Sequence, residues 1–196
     1  RLSLNSEKTT YMTFGNYSDS VPREFDIRIG NKSISRVESF KYLGIYFDYN
    51  MKWNVHVNYL VNKTKYLTFV FYKLAKIMNL ETLRMIYYAL FNSIISYGII
   101  AWGGAYTNSL NLIVNLQKRL LRIINKNNFV TKGNPLNIKQ LFAADSLLYH
   151  YDCLKSKFLT SDSKTRNKSI QIPKRKKTVS HKDSYITAIN LFNLLP

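Results

Sequence analysis

The apolar period of the chain changes once, at Trp53, and that change limits what its two parts can become. Before it, residues 9–48 read as strands, with apolar and polar side chains alternating most clearly in "FDIRIGNKSISRV". After it, Trp53, Val57, Leu60, Val61, Thr64, Leu67, Phe71, Leu74 and Ile77 fall at steps of three and four, as on one face of a helix. The expected fold class is therefore α+β, a small antiparallel β part over residues 9–48 followed by an α-helical bundle.

Within the first part, "TTYMTF" is a β-prone run and "FDIRIGNKSISRV" alternates across Gly30-Asn31, which predicts a hairpin. "FKYLGIYFD" reads as one further strand with Gly44 in its interior, where close backbone approach or a bulge is the usual reason. Helical spacing predicts one helix over 53–77 and a second from Leu83, Ile86, Tyr87, Leu90, Phe91, Ile94 and Ile95, stopping near Gly98. A third carries Leu110, Ile113, Val114, Gln117, Leu120, Leu121 and Ile124. A fourth covers 138–158, with Leu141, Phe142, Leu148, Tyr151 and Leu154 inward. The predicted domains are 1–50 for the strands, 51–158 for the helices, and 159–196 for a basic linker with a short apolar segment, "YITAINLFNLLP".

Charge narrows the partners. The 196 residues carry 29 lysines and arginines against 11 acidic residues, a formal charge of +18. Solubility alone needs a net charge of only about 2–8 in a small domain. Between Tyr49 and Ala144 the only carboxylate is Glu81, while Lys52, Lys63, Lys65, Lys73, Lys76, Arg84, Lys118, Arg119, Arg122, Lys126, Lys132 and Lys139 are spread along the same stretch. A helix that is merely solvated mixes both signs so that i,i+4 pairs form, and here such pairing is nearly removed. The expected partner is a polyanion.

Groups for chemistry are sparse. The single cysteine, Cys153, excludes a disulfide framework, and a reducing, intracellular setting is expected, with no secretory leader. His150 and Cys153 share a helical face, but two ligands do not close a metal site, and a half-buried histidine beside a core thiol is the favoured reading. The glycines do not form a phosphate loop. Asp145, Asp152 and Asp162 have no partner spaced for two-metal chemistry, and nothing in the sequence places Asp26 beside Asp48. Residues 85–116 contain no charge and are long enough to cross a bilayer, yet Asn92, Ser93, Ser96, Asn108 and the glycines at 98, 103 and 104 interrupt them. A basic membrane-surface protein anchored through 85–102 is thus a competing reading, with no obligate membrane expected.

Five segments, in order, resemble the reverse transcriptases of non-LTR (LINE-type, jockey-like) retrotransposons. "LSLNSEKTTYMTF" is similar to that family's "L-x-L-N-x-x-K-T-x-x-M-x-F", and "FKYLGIYFDYNMKWNVHV" to its "K-Y-L-G" strand followed by "W-x-x-H". "LFNSIISYGIIAWGG" resembles "S-x-x-x-Y-G-x-x-x-W-G", "NLQKRLLRII" resembles the "Q-x-x-x-x-R" helix, and "LFNLLP" resembles "L-W-N-x-L-P" with Phe192 in the tryptophan position.

The resemblance implies that the strands are the edge of a polymerase palm and the helices its thumb. Lys8 takes the place of the motif D lysine, with two competing roles: an auxiliary general acid toward departing pyrophosphate, or a plain phosphate contact or loop cap. Tyr42-Leu43-Gly44 resembles the primer-grip hairpin, motif E, with ordinary strand packing as the alternative. Nucleic-acid contacts are then expected from Asn5, Lys8, Lys41, Tyr42, Leu43, Gly44, Lys63, Lys73, Lys118 and Arg122. Trp53 is expected in a core or capping role, and Tyr97-Gly98 and Trp102-Gly103 in shaping a helix exit. "PKRKK", 173–177, is either a nucleic-acid contact, a nuclear address or a solvated linker.

The family's catalytic "Y/F-x-D-D" turn does not occur in the sequence. The expectation is a piece of an RNA-directed DNA polymerase that grips RNA template and DNA primer, inactive alone, with Mg²⁺ and the remaining N-terminal part belonging to the parent enzyme. Such an enzyme would work in a nuclear or cytoplasmic ribonucleoprotein. A decayed or domesticated, non-catalytic nucleic-acid-binding protein is the alternative.

Overall fold

In the computed structural model, which describes residues 5, 7–15, 25–125, 135–160, 169–173 and 183–195, all described strands precede Trp53 and all described helices follow it. The chain divides into two units, Arg1–Tyr59 and Leu60–Pro196.

In the first unit, β2 (Arg28–Ile29) and β3 (Lys32–Ser33) form the expected antiparallel hairpin across Gly30-Asn31. Strand β1 (Thr10–Tyr11) is shorter than "TTYMTF" predicts. It pairs with β4 (Ser35–Arg36) in parallel, not antiparallel, with Thr10 opposite Ser35. The parallel sense follows from the hairpin between them, which lets the chain return before β4 begins.

The segment read as one strand through Gly44 is instead a second hairpin. Strands β5 (Ser39–Tyr42) and β6 (Ile45–Asp48) pair antiparallel, Tyr42 opposite Ile45 and Ser39 opposite Asp48. Leu43 and Gly44 make the turn with φ of 45° and 86°, the positive pair that a type I′ turn requires. Glycine accepts that conformation without a clash. A leucine there costs roughly 1–2 kcal/mol, and its side chain is 72% exposed, so burial offsets little of it. Leucine is no turn signal, so alternation concealed the reversal. Leu43→Asn is expected to stabilise the chain by about 1 kcal/mol, read as a higher urea midpoint. An unchanged or lower midpoint would mean that the turn is unstrained.

Helix α1 (Asn54–Thr64) carries the chain into the second unit. The single helix predicted over 53–77 is broken after it. The Thr64 hydroxyl donates to the Leu60 carbonyl at 2.7 Å, and the amides of Thr68 and Phe69 then bond three residues back, to Lys65 and Tyr66. Back-bonding by threonine bends a helix, and three-residue bonds tighten the next turn. Helix α2 (Leu67–Leu74) follows, and Ile77, expected inward, lies exposed beyond its end.

Asn79 caps α3 (Leu80–Tyr87), its Oδ1 accepting from the Thr82 amide at 2.9 Å. A π-helical turn, Tyr88–Asn92, leads into α4 (Ser93–Ser96). Leu83, Tyr87, Phe91 and Ile95 are all buried at steps of four. In a regular α-helix each such step drifts about 40° around the axis, and the wider π turn takes back part of that drift. Leu90, expected inward, is exposed for the same reason.

An extended Tyr97 and a left-handed Gly98, at φ 61°, separate α4 from α5 (Ile99–Trp102), whose Trp102 is fully buried and donates its indole N–H to the Tyr97 carbonyl at 3.2 Å. Gly103 lets α5 approach the next layer: a Cβ there would lie 2.7 Å from both the Ile99 carbonyl oxygen and the Phe142 ring. These residues shape a helix exit and its packing, as the sequence suggests. They also divide the uncharged stretch, and no described helix is long and apolar enough to cross a membrane.

Helix α6 (Thr107–Ile124) buries Leu110, Ile113, Gln117, Leu120 and Ile124 on the predicted stripe. The Gln117 amide donates to the Tyr87 hydroxyl and to the Leu136 carbonyl, both at 2.9 Å. Burial of that phenol pushes its pKa up to about 12. Helix α7 (Ile138–Thr160) buries Ile138, Phe142, Ser146 and Leu154, while Leu148 and Tyr151 are exposed on another face, contrary to expectation. Helix α8 (Ser184–Phe192), capped by Asp183, packs Ala188 and Ile189 on Leu154. Just past it, Asn193 of "LFNLLP" bonds both the amide and the carbonyl of Ile170 at 2.9 Å. Cys153 is exposed, so the core-thiol reading is corrected, and His150 sits between the Tyr149 and Tyr185 rings.

Candidate nucleic-acid interface

The first unit holds its hairpin against the start of α1 through a carboxylate. Asp48, buried at the end of β6, accepts from the Trp53 and Asn54 amides at 3.0 Å each. These are N–H groups of the kind a helix start leaves without intrahelical partners. The junction is strained: Met51 and Trp53 have φ of 51° and 65°. Trp53 is buried against Phe47, their ring centroids 5.3 Å apart, which gives it the core role expected. One turn later His56 is buried, and its Nδ1 accepts from the Tyr46 amide at 3.3 Å. Burial lowers its pKa to about 4 against the opposing pull of Asp48, so His56 is neutral near pH 7 and offers no cation to a phosphate.

Alternation gives the β5–β6 hairpin two different faces. On one, the Lys41 ammonium lies over two rings, 5.3 Å from the Tyr46 centroid and 5.0 Å from that of Tyr59. On the other, Phe40 and Phe47 join Tyr11, Phe14 and Val37 around an apolar cleft of about 350 Å³. Tyr42 and Leu43 are exposed at the tip. Lys41, held by two rings on one face, can meet a phosphate, and Tyr42, which lines the cleft on the other face and is exposed at the tip, can meet a base or sugar.

Asn5 and Lys8 occupy one turn. The Asn5 carboxamide accepts from the Glu7 and Lys8 amides at 3.0 and 3.3 Å, so its oxygen serves the turn, and Lys8 is exposed. In the second unit, Lys118 and Arg122 are exposed four residues apart on one face of α6. Lys63 is exposed on α1 and Lys73 on α2. Of the residues singled out from the sequence, the fold joins Asn5 with Lys8, Lys41 through Gly44 with one another, and Lys118 with Arg122. Of "PKRKK", 174–177 lie outside the described residues, as do Lys126, Lys132 and Asp162.

Asp26 is engaged by Arg28 at 2.8 Å and Asp48 by backbone amides, so neither stands as a metal ligand of a pair. Among the described residues no group of three or more His, Cys, Asp or Glu comes together to hold a metal ion.

Sequence spacing missed two features. Asp48 gave no signal, because a carboxylate six residues ahead of a helix matches no capping pattern. The aromatic residues Tyr66, Phe69 and Tyr72, exposed on α2, did leave one: they are surplus to the apolar stripe that Leu67 and Phe71 already satisfy. Fold and surface define a mixed α and β chain with a basic helical unit. No protein-family model, curated protein or solved structure matches it.

Proposed function

We propose that the chain grips an RNA–DNA primer–template duplex as the palm-edge and thumb part of a LINE-type reverse transcriptase, without polymerising by itself. The observation that carries this reading is the near absence of carboxylates from a helical surface rich in cations: Glu81 is alone between Tyr49 and Ala144, while Lys63, Lys73, Lys118 and Arg122 are all exposed. Duplex binding without sequence preference draws its affinity from such cations at phosphates. The exposed hairpin tip, with Tyr42 and the glycine turn, suits the 3′ end of a primer, and Lys8 suits a phosphate.

The test is binding of a labelled RNA–DNA hybrid across a salt series. Reversing Lys63, Lys73 and Lys118 to Glu together is expected to weaken binding by roughly 10²-fold or more at 0.1 M salt, and to make the log–log salt slope shallower by about 2–3. Unchanged affinity would refute the grip. Nucleotide incorporation by the chain alone would refute the non-catalytic assignment.

A further inference from the structure

Helix α2 is covered on one side only. Leu67 and Phe71 are buried, and the opposite face carries Tyr66, Phe69 and Tyr72 with 56%, 66% and 52% of their surfaces exposed. On a helical wheel Phe69 lies about 180° and Lys73 about 140° from the buried pair, Tyr72 and the preceding Tyr66 flank them at about 120°, and Lys76 follows just past the helix end. The cations belong to the rings. The Lys73 ammonium is 5.4 Å from the Phe69 centroid, and that of Lys76 is 5.2 Å from the Tyr72 centroid. No carboxylate occurs anywhere between Tyr49 and Leu80.

Surface helices place polar side chains on such a face, and three adjacent exposed rings need a partner that rewards flat apolar area. The partner must also be anionic, because lysines alone surround the rings. An unpaired nucleic-acid strand meets both conditions: its bases stack on rings, and its phosphates take the ammonium groups. A duplex meets only the second, since its bases are already stacked. A lipid surface is less well matched, because the helix has only 8 residues and offers a short apolar face to bury.

We propose that this face of α2 is a stacking platform for single-stranded RNA or DNA, distinct from the cations of α6. It rests on the nucleic-acid reading above, but it assigns a different ligand to the rings of α2, with Lys73 common to both surfaces.

The test uses the full chain with a fluorescein-labelled dT12 strand and a blunt RNA–DNA hybrid. The double variant Phe69→Ala/Tyr72→Ala is expected to lose about tenfold or more on dT12 and to stay within about twofold on the hybrid. Phe69→Trp supplies a second readout, because Trp53 and Trp102 are buried. Its emission is expected to be quenched by unlabelled dT12 at stoichiometric amounts. Loss on dT12 with no hybrid binding by any form supports the platform and removes the duplex grip. Equal loss on both ligands, no loss on dT12, or no dT12 binding at low salt each overturns the platform. A blue shift of the Phe69→Trp emission with anionic phosphatidylserine vesicles, and no quenching by dT12, overturns it in favour of a membrane contact.

Discussion

Asp48→Ala is expected to destabilise the first unit by about 3–5 kcal/mol, the largest effect of any single substitution considered, because two amide bonds to a charged acceptor are lost together. The Trp53 and Asn54 amides would lose the acceptor that each holds at 3.0 Å. The same carboxylate fixes a backbone that resists its own conformation, with Trp53 at φ 65°. A left-handed residue of that bulk costs roughly 1–2 kcal/mol and persists only where its surroundings over-determine it. Asn is no rescue, since its amide nitrogen would face one of the two donors. Indole N–H signals of Trp53 and Trp102 report on the two units separately, in a urea series followed by NMR. The Trp53 signal should move to much lower urea while that of Trp102 holds. Unchanged stability in Asp48→Ala would show that packing on Phe47 is enough to set the junction.

What could be read from the sequence follows from which forces are periodic. Helix α6 and the inward line from Leu110 to Ile124 repeat a single physical demand every three or four residues, so they were legible. The Gly30-Asn31 hairpin was legible because its turn residues declare themselves. The Leu43-Gly44 turn was not legible from alternation, since a leucine in a left-handed turn contradicts local preference; only the family resemblance implied a hairpin there. Neither was the break after Thr64, which has no glycine or proline and arises from one hydroxyl bonding back to Leu60. The π turn at Tyr88–Asn92 shifts exposure by a fraction of a turn, enough to expose Leu90 and Tyr88 while Phe91 stays buried.

The residues that carry the family resemblance divide in the same way. Trp53, His56, Trp102, Gly103 and Gln117 are buried and hold packing or hydrogen bonds, so each has a structural role in this fold. Tyr42, Leu43 and Lys8 are exposed, and the proposed role toward primer or phosphate depends on them. The candidate platform on α2 belongs to neither group. Its rings were visible as an excess of aromatic residues, but an excess shows its meaning only once the core is seen to be complete without it.

Acid should weaken the first unit before it touches the second, through His56. Its ordinary pKa of 6.5 falls to about 4 in the fold, first because burial penalises the imidazolium, with Asp48 opposing. The unfolded chain therefore binds a proton between pH 6.5 and 4 that the folded chain refuses. Stability from this group is complete above pH 6.5 and is lost as pH falls toward 4. The loss amounts to about 2 kcal/mol by pH 5 and about 3 kcal/mol by pH 4. The local reason is direct: a proton on Nδ1 would put two donors face to face with the Tyr46 amide at 3.3 Å. Urea midpoints from the Trp53 indole signal at pH 7.5 and 5.0 measure the effect. His56→Asn, which keeps a short acceptor but cannot titrate, provides the reference for carboxylates that begin to protonate in the same range. The native chain should lose about 2 kcal/mol more than that variant between the two pH values. Equal losses would mean that His56 protonates as readily folded as unfolded, and that the tie from β6 to α1 survives the charge.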